Sequence, residues 1–447
     1  GPRPDLSQFD STLVADPIDH LAAALSIKAK TSQGYWIRVW IPEDAISGNY
    51  SSDVLIKNNQ EVIGKLKLTV QVQQRTLPQP DQWAFHLDLW QNPFAVARYH
   101  QVPLWSEEHF RILKTELQPY AEAGGKVITV PIMHHPWGGQ TYDPYETMIT
   151  WVRKIDGSWW FDYTIFDKWV EFMMDMGVKK EIGCYSMIPW KLSFLYFDQA
   201  TNSMKELKSK PGEQAYHDLW LSMLKDFAAH LKSKGWFDIT HIAMDERPMP
   251  DMLKALKIIR EADPDFKVSL AGSLHKELSD ELNDYCIAIA EKFSEDMKAK
   301  RKAEGKITTY YTCCAESHPN TYTFSNPAEG AWIAWYAAKE NLDGYLRWAL
   351  NSWTIEPLLD SRFYTWGAGD TYLLYPGGRT CLRFENLVAG IQAYEKIRIL
   401  KTELQTQNKT ATLRKLERVL ESFDELQLLK TPANVVVEKA NQFINGL

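Results

Sequence analysis

The chain has 447 residues, 45% of them hydrophobic and 24% charged, and a formal net charge of −7. That length is too great for one small core and suits a large α/β barrel with additions, or two to three domains. The acidic balance argues against a nucleic-acid partner, because phosphate affinity comes largely from Lys and Arg, and no apolar run reaches transmembrane length.

Residues 1–78 read as β-rich. Trp36-Ile-Arg-Val-Trp-Ile41 alternates, as does Lys65-Leu-Lys-Leu-Thr-Val-Gln-Val-Gln73, and Asn49-Tyr-Ser lies between turn signals, so a β-sandwich, whole or partial, is expected. Leu77-Pro-Gln-Pro80 reads as a stiff linker. Residues 79–382 alternate short apolar runs with helical segments. Strands are expected at 83–90, 126–133, 180–187, 238–244, 267–272, 285–289, 307–313 and 344–351. Helices are expected at 106–123, 161–176, 213–234, 250–262 and 327–341. Asp162 and Thr164 are starts for the helix with the face Phe166, Trp169, Val170, Met173 and Met174. Eight strands alternating with helices predict an α/β fold, a (β/α)8 barrel. The link between the second and third strands is unusually long. Residues 383–447 turn helical, with stripes at Leu387, Ile391, Tyr394, Ile397 and Leu400, then Leu413, Leu416, Leu420 and Phe423. Such spacing marks a helical region packed on the barrel.

Aromatic residues make up 13% of the chain, with 18 Trp, 20 Tyr and 18 Phe. Trp90, Trp105, Trp137, Trp190, Trp353 and Trp366 fall in expected loops or strand ends, where flat rings suit the apolar faces of sugars; elsewhere such rings fill cores. The five cysteines are an odd number, and Cys313-Cys314 lack metal-ligand spacing, so buried thiols are expected rather than a disulfide scaffold.

The fourth strand, Asp238-Ile-Thr-His-Ile-Ala-Met-Asp-Glu-Arg-Pro248, stops in two carboxylates, an arginine and a proline. Barrel enzymes present their chemistry where strands end. Neighbours on a strand face opposite ways, so Asp245 and Glu246 share one pocket only if the strand ends or bulges at Met244-Asp245. Adjacent acids seldom straddle a sugar ring as acid and nucleophile. They suit a substrate whose own 2-acetamido oxygen attacks C1, with one acid near the glycosidic oxygen and one carboxylate on the amide N–H.

The Met-Asp-Glu-Arg-Pro run resembles the catalytic segment of glycoside hydrolase family 123, the β-N-acetylgalactosaminidases. So do His134-His-Pro-Trp-Gly-Gly-Gln-Thr141, Phe161-Asp-Tyr-Thr-Ile-Phe-Asp-Lys-Trp169 and Gly344-Tyr-Leu-Arg-Trp-Ala-Leu-Asn-Ser-Trp353. Gly369-Asp-Thr-Tyr-Leu-Leu-Tyr-Pro-Gly377 and Arg383-Phe-Glu385 complete the set, which spans about residues 81–397. The resemblance implies a retaining, exo-acting, substrate-assisted glycosidase; no cofactor or metal is expected, and the expected partner is a glycan of a glycolipid or oligosaccharide, although the residues do not show the aglycone. Asp245 matches the residue that orients the acetamido group and Glu246 the general acid/base. Substrate-binding residues are expected at Asp370 (sugar hydroxyls) and at Trp353 and Trp366 (acetamido methyl and ring face), and Tyr311 is expected either to donate to the acetamido oxygen or to fill the core. Asp88 and Trp90 are expected to touch the sugar or close the barrel mouth, and Asn351 to bind a hydroxyl or hold a loop. The N-terminal β region is shorter than the resemblance implies. Export to the periplasm or outside the cell is expected, with the leader absent from this sequence; Gly1-Pro2 is compatible with a cleavage scar.

Three rivals stand beside this reading. Glu316, after the seventh strand in Cys313-Cys-Ala-Glu-Ser-His318, is placed to be a nucleophile paired with Glu246. A metal could draw on His86, Asp88, His134 and His135, although adjacent His134-His135 do not easily share one ion. A sugar-binding module without turnover needs no general acid. Neither the choice between GalNAc and GlcNAc nor the oligomeric state is readable from the residues.

Overall fold

A computed structural model describes residues 13–20 and 25–447. It comprises two units, His20–Gln79 and the remainder, Gly1–Asp19 with Pro80–Leu447. In the smaller unit, β1 (Gly48–Asn58) and β2 (Glu61–Val72) pair antiparallel, with a register shift at Ile56/Lys57. Asn59 turns the hairpin with a φ of 53°. The expected strand at 36–41 does not form. Trp36, Ile37, Val39, Trp40 and Ile41 are all exposed, so the alternation there does not mark a buried face.

The larger unit begins with β3 (His86–Leu89), α1 (Pro93–His100), α2 (Glu107–Glu122) and β4 (Val127–Pro131). A hairpin of β5 (Thr150–Arg153) and β6 (Trp159–Asp162) precedes α3 (Thr164–Asp175) and β7 (Glu181–Tyr185). A second hairpin, β8 (Ser193–Asp198) and β9 (Ser203–Lys208), precedes α4 (Gln214–Lys234) and β10 (Thr240–Met244). Then follow α5 (Met249–Ala262), β11 (Lys267–Gly272), β12 (Asp284–Ala288), α6 (Glu295–Ala303), β13 (Ile307–Tyr311), α7 (Glu329–Glu340) and β14 (Gly344–Arg347).

Eight parallel strands form one sheet in the order β3-β14-β13-β12-β11-β10-β7-β4. The seam between its edges is bridged where Leu87 pairs with Gly125 and the Lys126 N–H donates to the Leu87 carbonyl at 2.9 Å. The result is a nearly closed barrel, and all eight strands expected from sequence are present. Their runs are apolar because a parallel sheet is covered on both faces: Ile128, Val130, Ile182, Ile242, Met244 and Val268 are buried. Most of the strands are shorter than expected, as where Phe237–Ile239 form a 3₁₀ turn before β10, while β11 has its expected bounds.

The long second link contains the first hairpin. With the second hairpin it builds a four-stranded sheet ordered β6-β5-β8-β9, which the sequence reading missed. Asp156-Gly157, with Gly157 at φ 84°, is the turn signal that marks the first hairpin. The expected helix at 161–176 accordingly starts at Thr164, where the Asp162 carboxylate accepts the Thr164 N–H at 2.8 Å and its hydroxyl at 2.6 Å.

The C-terminal helices are α8 (Leu382–Thr406), α9 (Thr410–Leu420), α10 (Glu425–Leu428) and α11 (Ala433–Asn445). The stripe Leu387, Ile391, Ile397 and Leu400 is buried. α8 lies close against α7: a Cβ on Gly390 would come within 2.6 Å of the Ala331 carbonyl oxygen, so glycine is required there. Glu395 on α8 accepts the Phe85 N–H at 2.9 Å, fixing the entry to β3.

Candidate active site

β10 ends at Met244, and Asp245-Glu246-Arg247-Pro248 leads into α5, whose second residue is Pro250. Strand alternation sends His241, Ala243 and Asp245 into the barrel lumen, while Ile242 and Met244 face the helix layer. Glu246, one residue past Asp245, is free of the strand and turns across the mouth. Its Oε1 accepts the hydroxyl hydrogen of Tyr311, the last residue of β13. The strand break required for both acids to serve one pocket is present.

The two acids have unequal surroundings. Asp245 is only 7% exposed, whereas Glu246 is exposed. Arg247 Nη2 stands 3.0 Å from Asp245 Oδ1 but out of hydrogen-bond alignment, leaving that buried oxygen with no donor. Burial pushes the Asp245 carboxyl up to about 6; Arg247 and the Trp190 indole oppose the shift, and the Glu246 charge adds to it. Arg247 is held by the Ile188 carbonyl at 2.7 Å and the Glu246 carbonyl at 2.8 Å, and its guanidinium lies 5.0 Å from the Trp190 ring centroid.

Aromatic side chains wall the mouth. Trp90 stacks on Trp137 at 4.6 Å and meets Tyr185 at the same distance. Trp137 is buried, and its indole N–H has no hydrogen-bond partner. Trp190 is 55% exposed, which leaves a ring face open beside Arg247.

Of the other expected site residues, Trp90 lies at the mouth and donates to Asp88 Oδ2 at 3.3 Å. Asp88 itself is buried lower in the lumen, and burial holds its carboxyl well above the usual range. Tyr311 is at the mouth, with its hydroxyl engaged by Glu246. Asp370 is fully buried: its Oδ1 accepts Arg347 Nη2 at 2.6 Å and the Trp348 indole at 3.2 Å, and its Oδ2 has no donor. Trp366 is half-buried, 5.5 Å from Trp348, and donates to the Gln140 carbonyl at 3.0 Å. Trp353 has no exposed surface. It packs on Tyr99 and donates to the Leu374 carbonyl at 2.7 Å, which makes it core in this structure rather than a sugar wall. Asn351 is also fully buried and clasps the Asn92 backbone through both amide atoms, so it holds a loop. Tyr185, Arg347 and Trp348 were not singled out from sequence. All three follow or end barrel strands, and that position is the signal that could have found them.

The rival residues separate. Glu316 spends Oε2 on the Cys313 N–H at 2.8 Å within its own loop. His86 does not join His134 and His135. The latter two stack at 3.4 Å and donate to the two carboxylate oxygens of Glu146, at 2.7 and 3.0 Å. His135 has φ 49°, and that left-handed turn brings consecutive imidazoles onto one carboxylate. No helix among the described residues is long and apolar enough to cross a membrane.

The family model described as the glycoside hydrolase 123 catalytic domain matches residues 90–400, and that of the glycoside hydrolase 123 N-terminal domain matches residues 1–58. Among solved structures, the chain is similar to a family 123 glycoside hydrolase from Clostridium perfringens, whose structural analysis concerns glycolipid glycan hydrolysis. The identity is 28% and the TM-score 0.82, covering 91% of this chain and 77% of that one. A β-galactosidase from the psychrophilic Marinomonas ef1 is similar at 9% identity and TM-score 0.42, over 72% of this chain and 60% of that one. One from Rahnella sp. R3 is similar at 10% identity and TM-score 0.40, over 72% and 58%. No curated protein matches the chain.

Proposed function

Because the chain belongs to glycoside hydrolase family 123, we propose that it releases terminal β-linked N-acetylgalactosamine from a glycan, such as that of a glycolipid, with retention and with the substrate's acetamido group as nucleophile. The observation that carries this reading is the asymmetry of the adjacent acids: Asp245 is buried with an oxygen lacking a donor, and Glu246 is exposed on a hydrogen bond from Tyr311.

Glu246 donates its proton to the leaving-group oxygen as the bond from C1 breaks. The acetamido oxygen closes on C1, giving an oxazolinium ion. Asp245, ionised, accepts the amide N–H and offsets the positive charge. Water then attacks C1 from the face the leaving group vacated, passing a proton to Glu246. Two inversions restore the β configuration. The exposed Trp190 and the Trp90–Trp137 stack supply apolar faces for the sugar, and Asp370, held by Arg347 behind the surface, braces the loop after β14.

The double-displacement rival draws less support, because the Glu316 carboxylate is tied to its own loop. Paired hydrolysis of aryl β-GalNAc and β-GlcNAc, followed by NMR, tests the proposal. A β-anomer of GalNAc as first product, together with competitive inhibition by a GalNAc-thiazoline, is expected. An α-anomer, or trapping of Glu316 by a fluorosugar, overturns it.

A further inference from the structure

Five ionisable side chains enter the lumen at the end of the barrel away from the catalytic mouth. His86 opens β3, with Asp88 two residues on; Glu181 opens β7, His241 is second in β10, and Asp284 opens β12. Each is 3–6% exposed. None takes part in the chemistry proposed above.

The cluster is tight yet unsatisfied. His86 Nε2 lies 3.2 Å from Asp284 Oδ2 and 3.9 Å from Glu181 Oε2, and His241 Nδ1 lies 3.0 Å from Glu181 Oε1. Even so, His86 Nε2, Glu181 Oε2, His241 Nδ1, Asp284 Oδ1 and Asp88 Oδ1 have no hydrogen-bond partner. Buried polar atoms are nearly always paired, so a group of orphans pointing into one space calls for a common partner.

One donor atom from each of His86, Glu181 and Asp284 lies within 4.8 Å of the others. Tetrahedral zinc with bonds of about 2.0–2.2 Å sets its ligand atoms about 3.3–3.6 Å apart, and the two observed spacings bracket that edge. We propose that this cluster is a structural site for a divalent transition-metal ion of the zinc class, held by His86 Nε2, Glu181 and Asp284, with His241 orienting Glu181 from behind. Two carboxylates balance the ion's charge, and a histidine beside a ligating carboxylate is the usual outer support of such a site. In the sheet order β3, β12 and β7 are first, fourth and seventh, so the ion ties three separated parts of the wall across the lumen. That role suits the N-terminal end of a barrel, which serves stability rather than catalysis.

A proton is the competing partner. Burial disfavours the His86 cation, but the Asp284 and Glu181 carboxylates outweigh it and raise the imidazole to about 9. A proton on His86 Nε2 serves the contact to Asp284 and leaves Glu181 Oε2 without a donor.

Protein produced in zinc-supplemented and in metal-depleted medium, chelator-washed and gel-filtered, is compared by elemental analysis and thermal unfolding. About one zinc per chain, with a higher Tm for the zinc-grown protein, is expected. Glu146→Gln, which dismantles the half-exposed His134–His135–Glu146 group, should keep the metal, and His86→Gln should lose it. If His86→Gln does not fold, X-ray absorption of the zinc-grown parent decides, with imidazole nitrogen and carboxylate oxygen expected at about 2.0–2.2 Å. Zinc well below one equivalent with an unmoved Tm, sulfur in the coordination shell, or metal lost with Glu146→Gln but kept in His86→Gln overturns the proposal.

Discussion

Replacing Asp245 with Asn should change how stability depends on pH, apart from its effect on turnover. In the unfolded chain this carboxyl ionises near its ordinary value of 3.8, and in the folded chain burial delays ionisation to about 6. Between those values the unfolded chain loses its proton first, so folded stability falls as pH rises, and the loss is complete above about 6. The gap, at about 1.4 kcal/mol per pH unit, amounts to ~3 kcal/mol. Asparagine does not titrate. Whatever offset the substitution brings by leaving Arg247 without its anion, the variant lacks that part of the slope. Denaturant unfolding at about pH 4 and pH 7 measures it: the parent should lose up to ~3 kcal/mol more than the variant across the interval. Equal losses in both proteins would refute the reasoning. The same variant should lose turnover by ~10²-fold or more, because it removes the charge that offsets the oxazolinium ion.

Arg247→Gln removes the cation 3.0 Å from Asp245, so the acid limb of kcat/KM should move from near pH 6 upwards by about one unit or more. A limb that stays in place while activity falls uniformly would separate Asp245 ionisation from catalysis. Glu246→Gln should lower kcat by ~10³-fold for alkyl glycosides and far less for nitrophenyl glycosides, since only the former need a proton on the leaving group. Equal losses would remove Glu246 from the acid role. Tyr311→Phe deletes the donor to Glu246 Oε1 and should cost about 10–100-fold in kcat with little change in KM. A change confined to KM would instead assign Tyr311 to sugar binding.

Much of the barrel was legible because its signals are local. Runs such as Val127–Pro131 and Lys267–Gly272 are mostly apolar and almost wholly buried, as strands covered on both faces must be. The four-stranded side sheet was less legible. Its strands are short and partly exposed, and the pairing of Val152 with Phe197 joins hairpins far apart in sequence. At the site, Asp245, Glu246 and the strand stop were readable together because Arg247-Pro248 sits directly beside them. Trp353 was misread because a tryptophan after a strand looks alike in sequence whether it faces a sugar or the core; only the Leu374 carbonyl and Tyr99 placed around it separate the two.

By itself the sequence determined the alternation of strands and helices, the end of β10 in two carboxylates and the family, since each lies in a continuous run of residues. Only the tertiary structure decided which distant groups converge. Closure of the barrel brings Tyr311 to Glu246, and His86 to Glu181 and Asp284, while the segment after β14 folds back to set Asp370 on Arg347. It also makes Asp245 and Glu246 unequal, because burial and its electrostatic cost arise from the packed surroundings and not from a residue's neighbours in the chain.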